Sequence, residues 1–325
     1  MDQRSFSLII ETMTSNKSKI DLQTQLASGG KTELILKNPI MVGSGTFSNG
    51  VELSKRFDID KLGAIVSKGT TLRPRLGNPI PRTVETAAGM LNSIGFQNVG
   101  LSAVVNDYAP RWEKWNTPVI VNIMGENFSE YIELVEALDG IPGIAGVEVN
   151  ISCPNVEAGG LEFGQDPQLA GKLVKAIRSS VQLPILVKLT PSVADPRIVA
   201  ESVAKAGADA LTIFNTIPGM AIDINKRKPT LGAVFGGLSG PAIKPVALRH
   251  VFLVSREMDI PIVASGGVVS GTDVIEFIMA GASAVQVGTA TFVKPDAAWQ
   301  ILAELVTWCD SNGVSSLSEI HGAAK

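Results

Sequence analysis

Val147 to Asn155 reads Val-Glu-Val-Asn-Ile-Ser-Cys-Pro-Asn. Val147, Val149 and Ile151 alternate with polar residues, the period of a strand. Pro154 has no amide proton and must turn the chain out of a sheet. Asn150, Ser152, Cys153 and Asn155 are therefore set at or just past a strand's C-terminal tip. Behind them, Val156 to Asp166 is Gly-rich, acidic and aperiodic, and loops of that length are often lids. A thiol and two carboxamides under such a loop are the parts of a polar small-molecule site. A lone thiol of pKa about 8.5 can act as a general base near neutral pH when modestly perturbed. The chain has two histidines, His250 in a helical pattern and His321 near the C-terminus. Neither sits at a strand tip, which argues against a Cys–His nucleophile pair and against a metal site, so no metal is expected.

The elements that must position these groups repeat along the chain. Apolar strands are expected at Ile40–Ser44, Ala64–Lys68, Val119–Met124, Gly146–Ile151, Ile185–Leu189, Ala210–Phe214, Ile262–Ser265 and Ala284–Gly288. Helical patterns between and after them include Phe128–Leu138, Pro167–Val181, Pro196–Ala206, Ala242–Met258, Gly271–Ala280 and Pro295–Cys309. Near-continuous apolar strands alternating with helices indicate a helix-covered parallel sheet. Eight such units indicate an α/β fold of the (β/α)8 TIM-barrel type rather than an open sheet. Gly69 to Pro118 and Asn215 to Pro261 are long enough to be rim insertions, the second including a Gly-rich loop at Gly236–Gly240. Lys19 to Leu36, around Gly29-Gly30, is expected to form an N-terminal hairpin that plugs the barrel bottom. Residues 1–19 are expected to be a loose tail before one barrel domain over 20–325.

Sites of such barrels are built from the strands' C-terminal ends. Those ends carry Ser44, Lys68-Gly69, Asn122, Asn150, Cys153, Lys188, Asn215-Thr216, Gly266-Gly267 and Gly288-Thr289. Singly, a strand-end lysine is more often a snorkelling surface residue, an asparagine a turn former, and a cysteine a small hydrophobe, which is the reading for Cys309. Their coincidence on nearly every tip favours function, because lysine is rarely buried unpaired. The glycine pairs after the seventh and eighth strands stand where these barrels cradle phosphate, so a phosphate-bearing cofactor or substrate is expected. A strand-five lysine could form a Schiff base, or it could stand as a permanent cation beside a reduced flavin. The asparagines suit a planar, amide-rich substrate better than a sugar phosphate.

Composition narrows the class further. The chain has 325 residues, 45% hydrophobic and 18% charged, with a formal net charge of −3. That balance gives no electrostatic reason for a nucleic-acid partner. No apolar run is long enough for a membrane span, and no signal peptide is read at the N-terminus. Two cysteines make no disulfide framework and suit a reducing cytoplasm.

Asn-Ile-Ser-Cys-Pro-Asn-Val resembles the catalytic segment of class 1 dihydroorotate dehydrogenases. Residues 236–249, Gly77 to Arg82, Glu85 to Asn92 and Met279 to Val285 resemble the B-type branch of that class. The likeness runs from about Leu34 to Phe292. It implies an FMN enzyme oxidising dihydroorotate to orotate in pyrimidine biosynthesis, with Cys153 as the base. It further implies that Lys68, Asn92, Ser93, Ile94, Gly95, Phe96, Asn150, Asn215 and Thr216 hold the substrate. Ser44, Lys68, Gly69, Asn122, Asn150, Lys188, Phe214 and Gly240 are implied to line the flavin. Gly266, Gly267, Gly288 and Thr289 are implied to hold its phosphate. Thr46, Phe96 and Phe214 depart from the usual pattern in ways that change pocket shape rather than roles. A homodimer inside a heterotetramer is implied, with an iron–sulfur and FAD subunit passing electrons to NAD; fumarate or quinone are the other acceptors. The alternatives are a dihydropyrimidine dehydrogenase-type flavin barrel, a Schiff-base lyase on Lys188 or Lys68, and a barrel kept only as a binding subunit.

Overall fold

The computed structural model describes residues 20–28, 33–152, 154–155 and 161–325. The expected tail, the Gly29-Gly30 turn, Cys153 and positions 156–160 of the expected lid lie outside the described residues.

Eight strands close into a barrel: Ile40–Val42, Ala64–Val66, Val119–Ile123, Gly146–Asn150, Ile185–Lys188, Ala210–Ile213, Ile262–Ser265 and Ala284–Val287. All neighbouring pairs are parallel, and the eighth strand returns to the first through Val285 opposite Ile40. These runs form barrel strands because branched apolar residues tolerate burial on both faces. Each expected strand was found, most ending one or two residues early; Asn122, Asn150 and Lys188 lie within the ladder, whereas Ser44, Lys68, Asn215, Gly266 and Gly288 stand just beyond it.

The helices start where short side chains can satisfy free amides. Asn127, Asp166 and Asp195 cap the helices Phe128–Leu138, Pro167–Ser180 and Pro196–Lys205, and proline occupies the first helical position of the latter two. Ser270 and Asp273 form a reciprocal capping box at Gly271–Met279. The helix expected from Ala242 begins at Lys244, because Pro241–Ile243 forms a tighter 3-10 turn first. The last helix runs Ala297–Asn312, past the expected Cys309, and stops at Gly313 with φ 68°. Among the described residues no helix is long and apolar enough to cross a membrane.

The N-terminal hairpin is present as antiparallel Thr24–Ala27 and Leu34–Leu36. Its Leu26, Leu34 and Leu36 pack with Met41, Ala64, Val66, Ile120, Leu186, Ala210, Val263 and Ala284 in one buried cluster. That cluster closes the barrel bottom. Two residues further along the strands, the same inward face turns polar: Ile120 is followed by Asn122, Leu186 by Lys188, Ala210 by Thr212, and Ala284 by Gln286.

At the opposite end the two long insertions join. Ile217–Gly219, Gly236–Ser239, Gly89–Asn92 and Thr83–Thr86 form one four-stranded antiparallel sheet in that order. The segment expected as a Gly-rich loop at 236–240 is thus a strand through Ser239. Glycine has poor strand propensity, but here only glycine fits: a Cβ on Gly237 would lie 1.8 Å from Thr216 Oγ1, and one on Gly236 2.7 Å from the Asn92 carbonyl oxygen.

Candidate active site

The barrel mouth and this rim sheet enclose a cavity of about 690 Å³, well within the range of small-molecule sites. Ser44, Lys68, Gly69, Asn122, Asn150, Lys188, Phe214, Asn215 and Thr216 line it from the barrel tips. Gly266, Gly267, Gly288 and Thr289 line it from the last two tips, and Gly240 from the end of the rim sheet. Asn92, Ser93, Ile94, Gly95 and Phe96 reach it from the first insertion. The structure therefore gathers every expected site residue that it describes into one space. Cys153 lies outside the described residues; Ser152, immediately before it, lines the cavity.

The floor is a buried polar layer centred on Glu148, which is fully buried. Its Oε2 accepts a 2.6 Å hydrogen bond from Asn122 Nδ2. Its Oε1 accepts from Thr212 Oγ1 at 2.8 Å and from Gln286 Nε2 at 2.5 Å. Lys188, only 7% exposed, places Nζ 3.9 Å from Glu148 Oε2 and 3.4 Å from Gln286 Oε1. A buried ammonium is tolerated in this setting because a carboxylate opposes its charge and Gln286 accepts from it. Lys68 differs. Burial pushes its ammonium below the usual lysine range, and among the described residues no carboxylate lies within ion-pair distance of it.

The amide wall is held from behind. Asn150 Oδ1 accepts from the Ser152 amide at 3.2 Å and from Asn215 Nδ2 at 3.4 Å. The Tyr131 hydroxyl donates to the Asn150 carbonyl at 2.7 Å. Asn215 Oδ1 accepts from the Thr216 amide at 2.8 Å. Across the mouth, Asn92 Nδ2 donates to the Gly237 carbonyl at 3.2 Å, tying the two insertions together. Ser93 is fixed by its amide donating to the Arg82 carbonyl and by Asn78 Nδ2 donating to its hydroxyl. Gly95 at φ 69° turns tightly over Asn78, whose Oδ1 would lie 2.3 Å from any Cβ there.

The glycine turns are equally specific. Gly267 has φ 77°, and a Cβ would lie 2.7 Å from Lys244 Cβ. Gly45 and Gly288 are the reverse case: a Cβ at either meets nothing within 4 Å, so their missing side chains leave cavity space free. Lys244 Nζ binds Asp273 at 2.6 Å and Glu276 at 2.9 Å. Burial alone would raise the Asp273 carboxyl, but hydrogen bonds from Lys244, the Val269 amide and Ser270 outweigh it and hold the group below the usual range. The Asp273 carboxylate in turn accepts from the Val269 and Ser270 amides at 2.9 Å each, which pins the turn after the seventh strand.

Sequence reasoning passed over Glu148, Thr212 and Gln286. The available signal was a carboxylate in mid-strand two residues before Asn150, on the same face by period-two alternation. It also passed over Glu162, whose Oε2 accepts from Thr190 Oγ1 at 2.6 Å at the cavity edge.

A family model described as dihydroorotate dehydrogenase matches residues 30–308. A protein of Pelobacter propionicus named dihydroorotate dehydrogenase B (NAD(+)), catalytic subunit, is 51% identical over 305 residues, covering 94% of this chain and 99% of that one. A protein of the same name from Geotalea daltonii is 51% identical over 95% of this chain and 99% of its own. Another from Geobacter sulfurreducens is 50% identical over 94% and 98%. Together with the barrel, the lysine-bearing floor and the glycine turns that meet at its mouth, these likenesses over nearly the whole length place the chain in the dihydroorotate dehydrogenase family.

Proposed function

We propose that this chain oxidises (S)-dihydroorotate to orotate in pyrimidine biosynthesis, with FMN in the barrel mouth as the redox cofactor. The observation that carries the reading is the meeting of Lys68 and Lys188 with the two glycine turns and the carboxamides in one cavity. The residues fit such a group. Open space at Gly45 and Gly288 lets a ligand approach the backbone closely, and the turns after the seventh and eighth strands suit its phosphate. The Ser152 hydroxyl is buried with no hydrogen-bond partner among the described residues, as expected of a group completed by a ligand.

Bound there, a flavin would supply the acceptor for a hydride, which carries both electrons of the oxidation. The chain supplies the rest. Lys188 sets a fixed positive charge in a buried floor, where such a charge stabilises negative charge developing nearby without reorganisation. Lys68 adds a second ammonium close to where a carboxylate substrate would lie. Asn92, Asn150 and Asn215 offer donors and acceptors to the amide edges of a planar ring, and their own partners keep them oriented. We assign the base to Cys153, which takes a proton from the ring methylene next to the carbon that loses hydride. Its position immediately after Ser152 supports this role, as does the family likeness of the surrounding segment. The strand pair Pro154–Asn155 and Leu161–Glu162 supports a lid that closes over the site and excludes water.

Electrons must then leave. We place the next carriers in a partner, as the relatives' designation as catalytic subunits of an NAD(+)-linked enzyme supports. Two cysteines are too few to ligate an iron–sulfur cluster in this chain. An iron–sulfur and FAD subunit, joined to a homodimer of this chain in a heterotetramer, meets that need.

The test is a half-reaction. Cys153→Ala should retain its flavin absorbance and lose about 10²–10⁴-fold in the rate of flavin reduction by dihydroorotate, the range for removal of a general base. Unchanged reduction kinetics would remove Cys153 from that role.

A further inference from the structure

The carboxylate beneath the cavity has no part in the reading above, yet it organises the residues that do. Glu148 and Thr212 do not line the cavity, whereas Asn122, Lys188 and Gln286 do. Each of those three is held from below. Asn122 stands opposite Glu148 in the ladder and donates to it. Gln286 reaches it from the eighth strand, and Lys188 approaches from the fifth. Four strands besides its own thus send a donor or an ammonium to a single carboxylate.

We propose that Glu148 is the positioning residue and counter-ion of the floor: through Lys188, Asn122 and Gln286 it fixes both the geometry and the net charge that a bound flavin meets. This rests on the flavin reading of the cavity.

Lys188 carries a positive charge and Glu148 a negative one, 3.9 Å apart in a layer that is almost entirely buried. In such surroundings screening is weak, so each charge is felt in the cavity above. With the pair intact, the floor presents an attenuated positive charge. With Glu148 neutralised, it presents an uncompensated one, and negative charge arriving on the ligand is held more strongly. A purely structural carboxylate would show itself in stability alone.

Glu148→Gln preserves shape and most hydrogen bonds while removing the charge. In the flavin-loaded protein it should raise the ratio of reduced to oxidised flavin at a fixed potential at least tenfold, an upward shift of about 30 mV for a two-electron couple. Thr212→Val, which removes one hydrogen bond from the same carboxylate without changing charge, should move that ratio less than threefold. In the ligand-free protein, Glu148→Gln should lower Tm more than the double variant Glu148→Gln/Lys188→Gln, since removing both charges leaves no orphaned ion. An unchanged potential in Glu148→Gln, or a Thr212→Val shift as large, would overturn the proposal. So would Tm effects that simply add. A single variant that fails to fold beside a double variant that folds supports the pairing; failure of both overturns it, because the carboxylate is then needed without Lys188. A wild-type chain that takes up no flavin would end the flavin reading, and the Tm comparison would still judge the pair.

Discussion

Gly288→Ala should separate the cavity's role from the fold's. Gly288 follows the eighth barrel strand and lines the cavity, and an added Cβ meets no atom within 4 Å. Its φ is not in the left-handed region, so alanine can adopt the same backbone. Folding stability should change little, or rise by up to about 1 kcal/mol through the narrower unfolded ensemble. The methyl group would occupy the space through which a phosphate reaches the backbone amides. Losing one hydrogen bond to a charged group costs about 1.5–3 kcal/mol, or roughly tenfold to a hundredfold in flavin affinity. Gly267→Ala is the contrasting perturbation. There φ is 77° and the Cβ would sit 2.7 Å from Lys244 Cβ and 2.9 Å from the Gly240 carbonyl oxygen, so stability should fall by about 2 kcal/mol or more. Quenching of flavin fluorescence on titration of apoprotein gives the affinity, and urea unfolding gives the stability. A Gly288→Ala protein that binds flavin as tightly as wild type, or that unfolds as readily as Gly267→Ala, would refute the assignment of this turn as a phosphate cradle.

Further outcomes follow from the plug and from a buried histidine. Leu36→Ala removes a fully buried side chain from the cluster that closes the barrel bottom and should cost about 2–5 kcal/mol in urea unfolding, with flavin affinity of the folded fraction unchanged. Burial holds the His250 imidazole below its ordinary pKa, so the unfolded chain binds its proton at a higher pH than the folded one. Its stabilising contribution is therefore complete above about pH 6.5 and is lost as pH falls below that value. Thermal unfolding of wild type and His250→Gln between pH 8 and 5.5 should show their Tm difference shrinking toward acid; a constant difference would contradict this.

Much of the fold was legible because its signals are local. Branched apolar runs ending in glycine, asparagine or lysine marked the eight barrel strands, and the helices expected from Pro167 and Pro196 begin there. Lys68, Lys188, Asn150 and the glycine pairs could be placed at one end because strand tips in a parallel barrel share a direction. What escaped depended on partners distant in sequence. Glu148 in a valine run reads the same whether it faces a helix or the barrel interior; only the closed barrel brings Asn122, Thr212 and Gln286 to it. Gly236–Ser239 looked like a loop because glycine disfavours strands, yet pairing with Gly89–Asn92 outweighs that local preference.

The most direct measurement is anaerobic mixing of the flavin-loaded protein with (S)-dihydroorotate while following the flavin absorbance and the product. The visible flavin band should bleach, with one orotate formed per flavin reduced. A fully loaded protein whose flavin band persists in the presence of saturating dihydroorotate would contradict it.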